Sequence, residues 1–237
     1  MSDLWRNLPL SSRPAEDEST VSSDWRPRTA AALRALADSL TPLPEARWSE
    51  PSLRPGRGGV PATVRETIDD LVWRLGASAF ERIFPPDRTA RSRDDLLADL
   101  HHWAHRVERG RRGIGDLTAV AEHAYDVTLP LGLPDPVDSR GSGAVALARA
   151  AAAPTPLRGL LRGRTLAASD AGWRIGTGPE IRGTAAELVA WLSGRAVRPV
   201  FAPADAGPAG RTTATETATD TDDESGGPPP PADPRRG

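Results

Sequence analysis

The sequence predicts a fold of the class α followed by α+β. An antiparallel four-helix bundle occupies residues 25–138, and a small α+β domain follows over residues 139–201. Three observations carry this expectation. Four amphipathic helical stretches come first in the chain. After residue 139 the pattern shifts to short strand-like runs between turn residues. Residues 1–24 and 202–237 lack apolar periodicity and are rich in Ser, Thr, Asp, Gly and Pro, so both ends read as disordered tails.

The elements follow in order. The first helix runs near Arg28–Leu40, with Leu33, Leu36, Ala37 and Leu40 on one stripe. A long Pro/Gly-rich connection follows, TPLPEARWSEPSLRPGRGGVPA. Thr63-x-x-Glu66 is a capping box, and it opens the second helix. Val64, Ile68, Leu71, Val72, Leu75 and Ala79 give that helix its apolar face, and Pro85-Pro86 closes the element. Ser92 starts the third helix, which carries Leu96, Leu100, Trp103 and Val107 and stops at Gly110. The fourth helix begins near Asp116, carries Leu117, Val120, Ala121, Ala124 and Val127, and ends in Leu-Pro-Leu-Gly-Leu-Pro at 129–134.

Beyond it, Gly141-Ser142-Gly143 reads as a flexible joint between domains, and an Ala-rich helix covers about Gly143–Ala152. Thr165–Ala168 and Trp173–Gly176 flank Ser-Asp-Ala-Gly and predict a hairpin. Glu180–Gly183 is a third short strand. Thr184-x-x-Glu187 caps a last helix with Ala185, Leu188, Trp191 and Leu192, before Gly194.

Composition narrows the chemistry. The chain has 237 residues, 30 of them basic and 32 acidic. Every basic residue is Arg; the sequence contains no Lys and no Cys. The protein therefore has no thiol nucleophile, disulfide, zinc finger or iron–sulfur cluster of its own. It also has no Walker lysine and no Schiff-base lysine. Residues 1–24 hold five acids against two Arg, and residues 202–237 hold seven against three. The body between them is therefore basic by five charges. It has no concentrated basic stripe with interleaved aromatics, so no nucleic-acid partner is expected. No apolar stretch is long enough for a bilayer and no hydrophobic leader follows Met1, so neither a membrane span nor membrane association is expected. A cytoplasmic location is expected. The Arg-only basic set with many Ala and Gly suggests a GC-rich genome.

His123 is the first candidate functional residue. It lies mid-helix in Glu-His-Ala-Tyr-Asp, with Asp126 three residues on and on a neighbouring position. Bundle interiors host metal sites built from His and carboxylates on facing helices. The second helix offers Asp69 and Asp70, and Asp70 borders its apolar stripe. Asp70, His123 and Asp126 are thus candidate metal ligands. The competing reading is a His123 that hydrogen-bonds inside the bundle, with Asp70 exposed. His101, His102 and His105 form a second cluster, in which His101 and His105 are i, i+4 neighbours. HHWAH lacks the glutamate of HExxH, and a surface or bundle-edge cluster is the better reading. There is no GxSxG elbow and no strand–GxGxxG–helix unit.

Several segments taken together resemble a known family. They are Ala46-Arg47-Trp48-Ser49-Glu50-Pro51-Ser52-Leu53-Arg54-Pro55-Gly56, Thr63-Val64-Arg65-Glu66 with Asp70-Leu71, and His123-Ala124-Tyr125-Asp126 with Leu131-Gly132. Asp170-Ala171-Gly172-Trp173, Gly183-Thr184-Ala185-Ala186-Glu187-Leu188 and Gly194-Arg195 complete the set. Over about residues 25–200 the chain is similar to the actinobacterial maleylpyruvate isomerase family of mycothiol-dependent enzymes. That resemblance implies a DinB-like metal-binding bundle followed by a small sterol-carrier-like domain. It implies a divalent metal, typically zinc, held by a His on the second helix and a Glu-x-x-x-His pair on the fourth. It also implies mycothiol as the source of the working thiol.

His123 matches the fourth-helix His. Asp70 stands at the second-helix His position, and Ala119 at the Glu position. The family's Cys-Pro-Gly-Trp-Thr run is replaced by Arg54-Pro55-Gly56 and an insertion, Arg57 to Ala62. Two functions follow as expectations. One is a diverged mycothiol-dependent isomerase or thiol-transfer enzyme acting on a small electrophile or thiol, with zinc at Asp70, His123 and Asp126. The other is a non-catalytic binding or interaction module that has lost the bundle metal site.

Overall fold

The computed structural model describes residues 24–78, 81, 91–110 and 113–202. Nearly all of both expected tails, Ala79 and Pro85-Pro86 lie outside these residues. The fold is mixed helix and sheet, with seven α-helices among the described residues.

Four of them come first: α1 (Arg26–Leu40), α2 (Val64–Gly76), α3 (Arg93–Arg109) and α4 (Ile114–Leu131). Helix α1 packs on α3 and α4, and α2 packs on the same two. Local chemistry sets their ends. The predicted capping box forms at Thr63 and Glu66, each side chain bonding the other's backbone N–H. Ser92 accepts the Asp95 N–H at 3.2 Å and caps α3. Gly132, at φ 65°, ends α4 in the left-handed conformation that glycine adopts without steric cost.

The connection expected between the first two helices is not irregular. A 3-10 turn (Glu45–Ser49) buries Trp48, and two short strands follow, β1 (Pro51–Pro55) and β2 (Pro61–Thr63). They pair antiparallel, with an irregularity between Pro51 and Pro55. Three prolines hide these strands from a pattern reading, because Pro lacks the N–H that a ladder needs and survives only at edges and ends. The hairpin is tied down by Ser52, whose hydroxyl bonds the Ala62 carbonyl and the Thr67 hydroxyl, at 2.8 and 2.7 Å. β1 lies against α4 and α2.

The second part contains α5 (Ser139–Ala151), α6 (Thr155–Leu161), β3 (Thr165–Ala168), β4 (Arg174–Gly176), β5 (Glu180–Gly183), α7 (Ala185–Leu192) and β6 (Val200–Phe201). The sheet order is β4-β3-β5-β6. β3 pairs antiparallel with β4 through the expected hairpin and parallel with β5, and β6 adds antiparallel to β5. Ile181 and Leu166 face α7 from this sheet and join the same apolar core as the leucines of α1 to α4.

The expected joint at Gly141-Ser142-Gly143 is instead the first turn of α5. Asp138 caps that helix by accepting the Gly141 N–H at 2.6 Å, and this cap moves the start four residues ahead of the expected Gly143. The glycine is needed for close approach. A Cβ on Gly143 would lie 3.2 Å from the Trp173 ring, and Trp173 donates its indole N–H to Ser142 Oγ at 3.1 Å. Helix α6 and the two-residue β6 had no expected counterpart. Neither has the length that a periodic pattern needs.

Gly143 and Gly159 give opposite tests of this packing. Gly143→Val should destabilise by about 1–3 kcal/mol, because its side chain collides with Trp173. Gly159→Ala, in a helix with nothing within 4 Å of the new Cβ, should stabilise by about 0.5–1 kcal/mol. Urea unfolding of both variants checks this; shifts of the same sign would contradict it.

Candidate functional site

Helix α4 holds the centre of the molecule. From Leu117 to Thr128 every residue is buried, so its polar side chains cannot turn to solvent. α1, α2, β1, α5 and α7 all pack around it. Besides Tyr125, three ionisable residues lie in this stretch: Glu122, His123 and Asp126. A charge taken out of water is costly unless paired and hydrogen-bonded. Each of the three has such a partner, and in each case an arginine from another element contributes.

Asp70 of α2 and His123 of α4 come together, with Asp70 Oδ2 3.1 Å from His123 Nε2. Arg54 of β1 completes the group. Its Nη1 forms an ion pair with Asp70 Oδ2 and lies 2.7 Å from His123 Nε2. The other imidazole nitrogen, Nδ1, lies 2.7 Å from the Ala119 carbonyl. A carbonyl only accepts, so Nδ1 carries the proton. In the neutral imidazole Nε2 is then an acceptor, and the two hydrogens of Arg54 Nη1 go one to Asp70 and one to His123. Burial alone would push the Asp70 carboxyl up. His123, which can donate from Nε2 to Asp70 only when its ring is protonated, and Arg54, by hydrogen bond and charge, outweigh that and hold it well below the usual carboxylate range.

Asp126 turns elsewhere. Both its oxygens are taken by Arg195, Oδ1 by Nε at 2.6 Å and Oδ2 by Nη2 at 2.7 Å. This is the fork geometry of a two-point guanidinium–carboxylate pair. Burial pushes the Asp126 carboxyl up, and the Arg195 hydrogen bonds oppose that shift. Glu122 receives the Ser193 hydroxyl at 2.5 Å and pairs with Arg149 of α5. Glu122 and Asp126 therefore fasten α4 to α5 and to the segment after α7.

So the structure joins Asp70 and His123, and it separates the Asp126 carboxylate from them by committing it to Arg195. Among the described residues, no group of three His, Cys, Asp or Glu is placed to hold a metal ion. The α3 histidines stand apart from this centre. His101, His102 and His105 are exposed, His102 edge-on to Trp103 and His105 3.9 Å from Glu108.

The sequence reading missed the roles of Arg54, Arg149 and Arg195 and the burial of Glu122. A signal was present. Glu122 and Asp126 stand one turn apart on a helix otherwise rich in Ala, Val and Leu, and such acids demand cations. No protein-family model, curated protein or solved structure matches the chain.

The depressed Asp70 carboxyl links the site to acid stability. Its folded value lies below the unfolded one of about 3.9, so its contribution is complete above pH ~4 and is lost as pH falls below that. Asp70→Asn should cost about 1–3 kcal/mol at neutral pH. The variant should also lose less stability than the parent between pH ~4 and lower pH. Denaturant unfolding across that range measures both, and an equal deficit at every pH would contradict the assignment.

Removing the Asp126 carboxylate leaves Arg195 charged and 84% covered, since its side chain is 16% exposed. Asp126→Ala should therefore cost about 3–5 kcal/mol. A loss under 1 kcal/mol by the same assay would count against a structural pair.

Proposed function

We propose that this chain is a diverged relative of the maleylpyruvate isomerase family that acts as a metal-independent binding module. In this reading α1 to α4 form a DinB-like antiparallel bundle, and the second part corresponds to the small sterol-carrier-like domain. The observation that carries the proposal is the position of Arg54. Its guanidinium donates to Asp70 Oδ2 and His123 Nε2, the two atoms that would otherwise face a metal.

The donor set does not fit a divalent cation. Zinc takes four ligands, with at least three from protein even in an open catalytic site. Here one imidazole and one carboxylate converge, Ala119 offers no side-chain donor, and Asp126 is saturated by Arg195. A cation beside Arg54 would also meet a fixed like charge. The same guanidinium supplies without metal what a buried Asp–His pair needs, a positive charge held in place. Mycothiol activation by a bound metal has no support in this arrangement, and no step through either group is derived.

One observation favours the alternative, a metal-dependent isomerase or thiol transferase. The Ala119 carbonyl orients His123 with Nε2 inward, as the outer partners of metal-bound histidines do. Metal analysis separates the two readings. After expression with added zinc, the purified protein should hold far less than one zinc per chain, and Arg54→Ala should remain sub-stoichiometric because two donors cannot close a site. One zinc per parent chain, lost in both Asp70→Ala and His123→Ala, would overturn the proposal.

A further inference from the structure

The second part of the chain has a charge imbalance that its own contacts leave open. Residues 139–202 contain nine Arg and three acids. All three acids are already used. Asp170 accepts the Ala185 N–H at 2.8 Å, Glu187 closes the capping box of α7, and Glu180 pairs with Arg174 and Arg182. Arg149 and Arg195 are spent on Glu122 and Asp126. Among the described residues, Arg158, Arg162 and Arg198 are exposed and have no carboxylate partner.

Two of these cations lie on or at the end of α6, which has no buried residue. Arg158 and Arg162 are one turn apart. Two residues beyond Arg162, Arg164 stands 5.6 Å over the Phe201 ring of β6 and donates from Nη1 to the Ala202 carbonyl at 3.2 Å. Phe201 is 44% exposed. These arginines with the part-exposed Phe201 make a surface that is basic and apolar at once.

The chain continues from this face with an acidic sequence. Residues 203–237 hold seven acids, and five of them fall between Glu216 and Glu224 with no base among them. The thirteen residues between Ala202 and Glu216 span at most about 45 Å, enough to reach α6 from β6. Covalent attachment also gives that segment an effective concentration of order millimolar at a nearby surface.

We propose that the surface formed by Arg158, Arg162, Arg164, Arg198 and Phe201 is the docking site of the chain's own acidic segment Glu216–Glu224. The segment neutralises arginines that lack a carboxylate partner, of which Arg158 and Arg164 bond only backbone carbonyls. The contact is electrostatic, so salt weakens it; at 1 M ionic strength the screening length falls to about 3 Å. It involves none of Arg54, Asp70 and His123, so it stands or fails independently of the bundle reading.

The absence of cysteine makes the test direct. A nitroxide attached to Ala218→Cys in the full chain is the sole labelled site. The label should cause loss of amide signal intensity in α6 and β6 at low salt, with no loss at Asp94 and Asp95 of α3. The loss should vanish in 1 M NaCl. It should vanish also in the triple variant Arg158→Gln, Arg162→Gln, Arg198→Gln, whose sites are exposed and whose unchanged far-UV spectrum would report an intact fold. Signals in α6 and β6 that keep full intensity at low salt would overturn the proposal. So would a loss that is indifferent to salt and to the arginine changes, or an equal loss at α3 and α6. If the label leaves α6 untouched but an added acidic peptide shifts its amides, the occupant is a partner in trans and the cis contact is wrong.

Discussion

A buried helix that carries two acids and a histidine is the constraint from which the rest of this structure follows. α4 is enclosed from Leu117 to Thr128, and Glu122, His123 and Asp126 have no route to water. Leaving any one of them unpaired would cost a large part of the stability of an ordinary domain. The fold meets this with arginines brought from three places: Arg54 from the β1–β2 hairpin, Arg149 from α5 and Arg195 from beyond α7. These contacts also set the relative placement of the elements. The hairpin is held over the α2–α4 seam, and the second part of the chain is fastened to α4 along one acidic row.

This view gives the Arg-only basic set a physical use. A guanidinium presents planar, paired donors and stays charged when buried, whereas an ammonium loses its proton readily in such surroundings. Arg195 uses its fork on both oxygens of Asp126. Arg54 divides the two hydrogens of one nitrogen between a carboxylate and an imidazole, which places a fixed positive charge at the centre of the helical part. The proposed binding role rests on that charge being part of the protein itself.

Much of the helical framework was legible in the sequence because its signals are local and periodic. The capping boxes at Thr63 and Thr184, the Ser92 cap and the apolar stripes of α1 to α4 all appear where side-chain chemistry put them. Proximity of Asp70 to His123 was also legible, since each borders a core stripe. The β1–β2 hairpin was hidden by its own prolines, and the first turn of α5 by Gly141 and Gly143, of which Gly143 admits the Trp173 ring. The partners of the buried charges were hidden for another reason. Arg54 lies 69 residues from His123, and Arg195 lies 69 from Asp126, so no local pattern connects them. The clue was the acids themselves, since Glu122 and Asp126 stand one turn apart on an otherwise apolar helix.

An Arg54 that donates to His123 Nε2 occupies the position a metal ion would need. Nitrogen-15 spectroscopy of the His123 imidazole at a pH where the ring is neutral tests it most directly. The expected spectrum is that of the tautomer protonated at Nδ1, with Nε2 shifted as a hydrogen-bond acceptor, and with that acceptor shift lost in Arg54→Ala. A proton found on Nε2, or an Nε2 resonance unchanged by removal of Arg54, would contradict it.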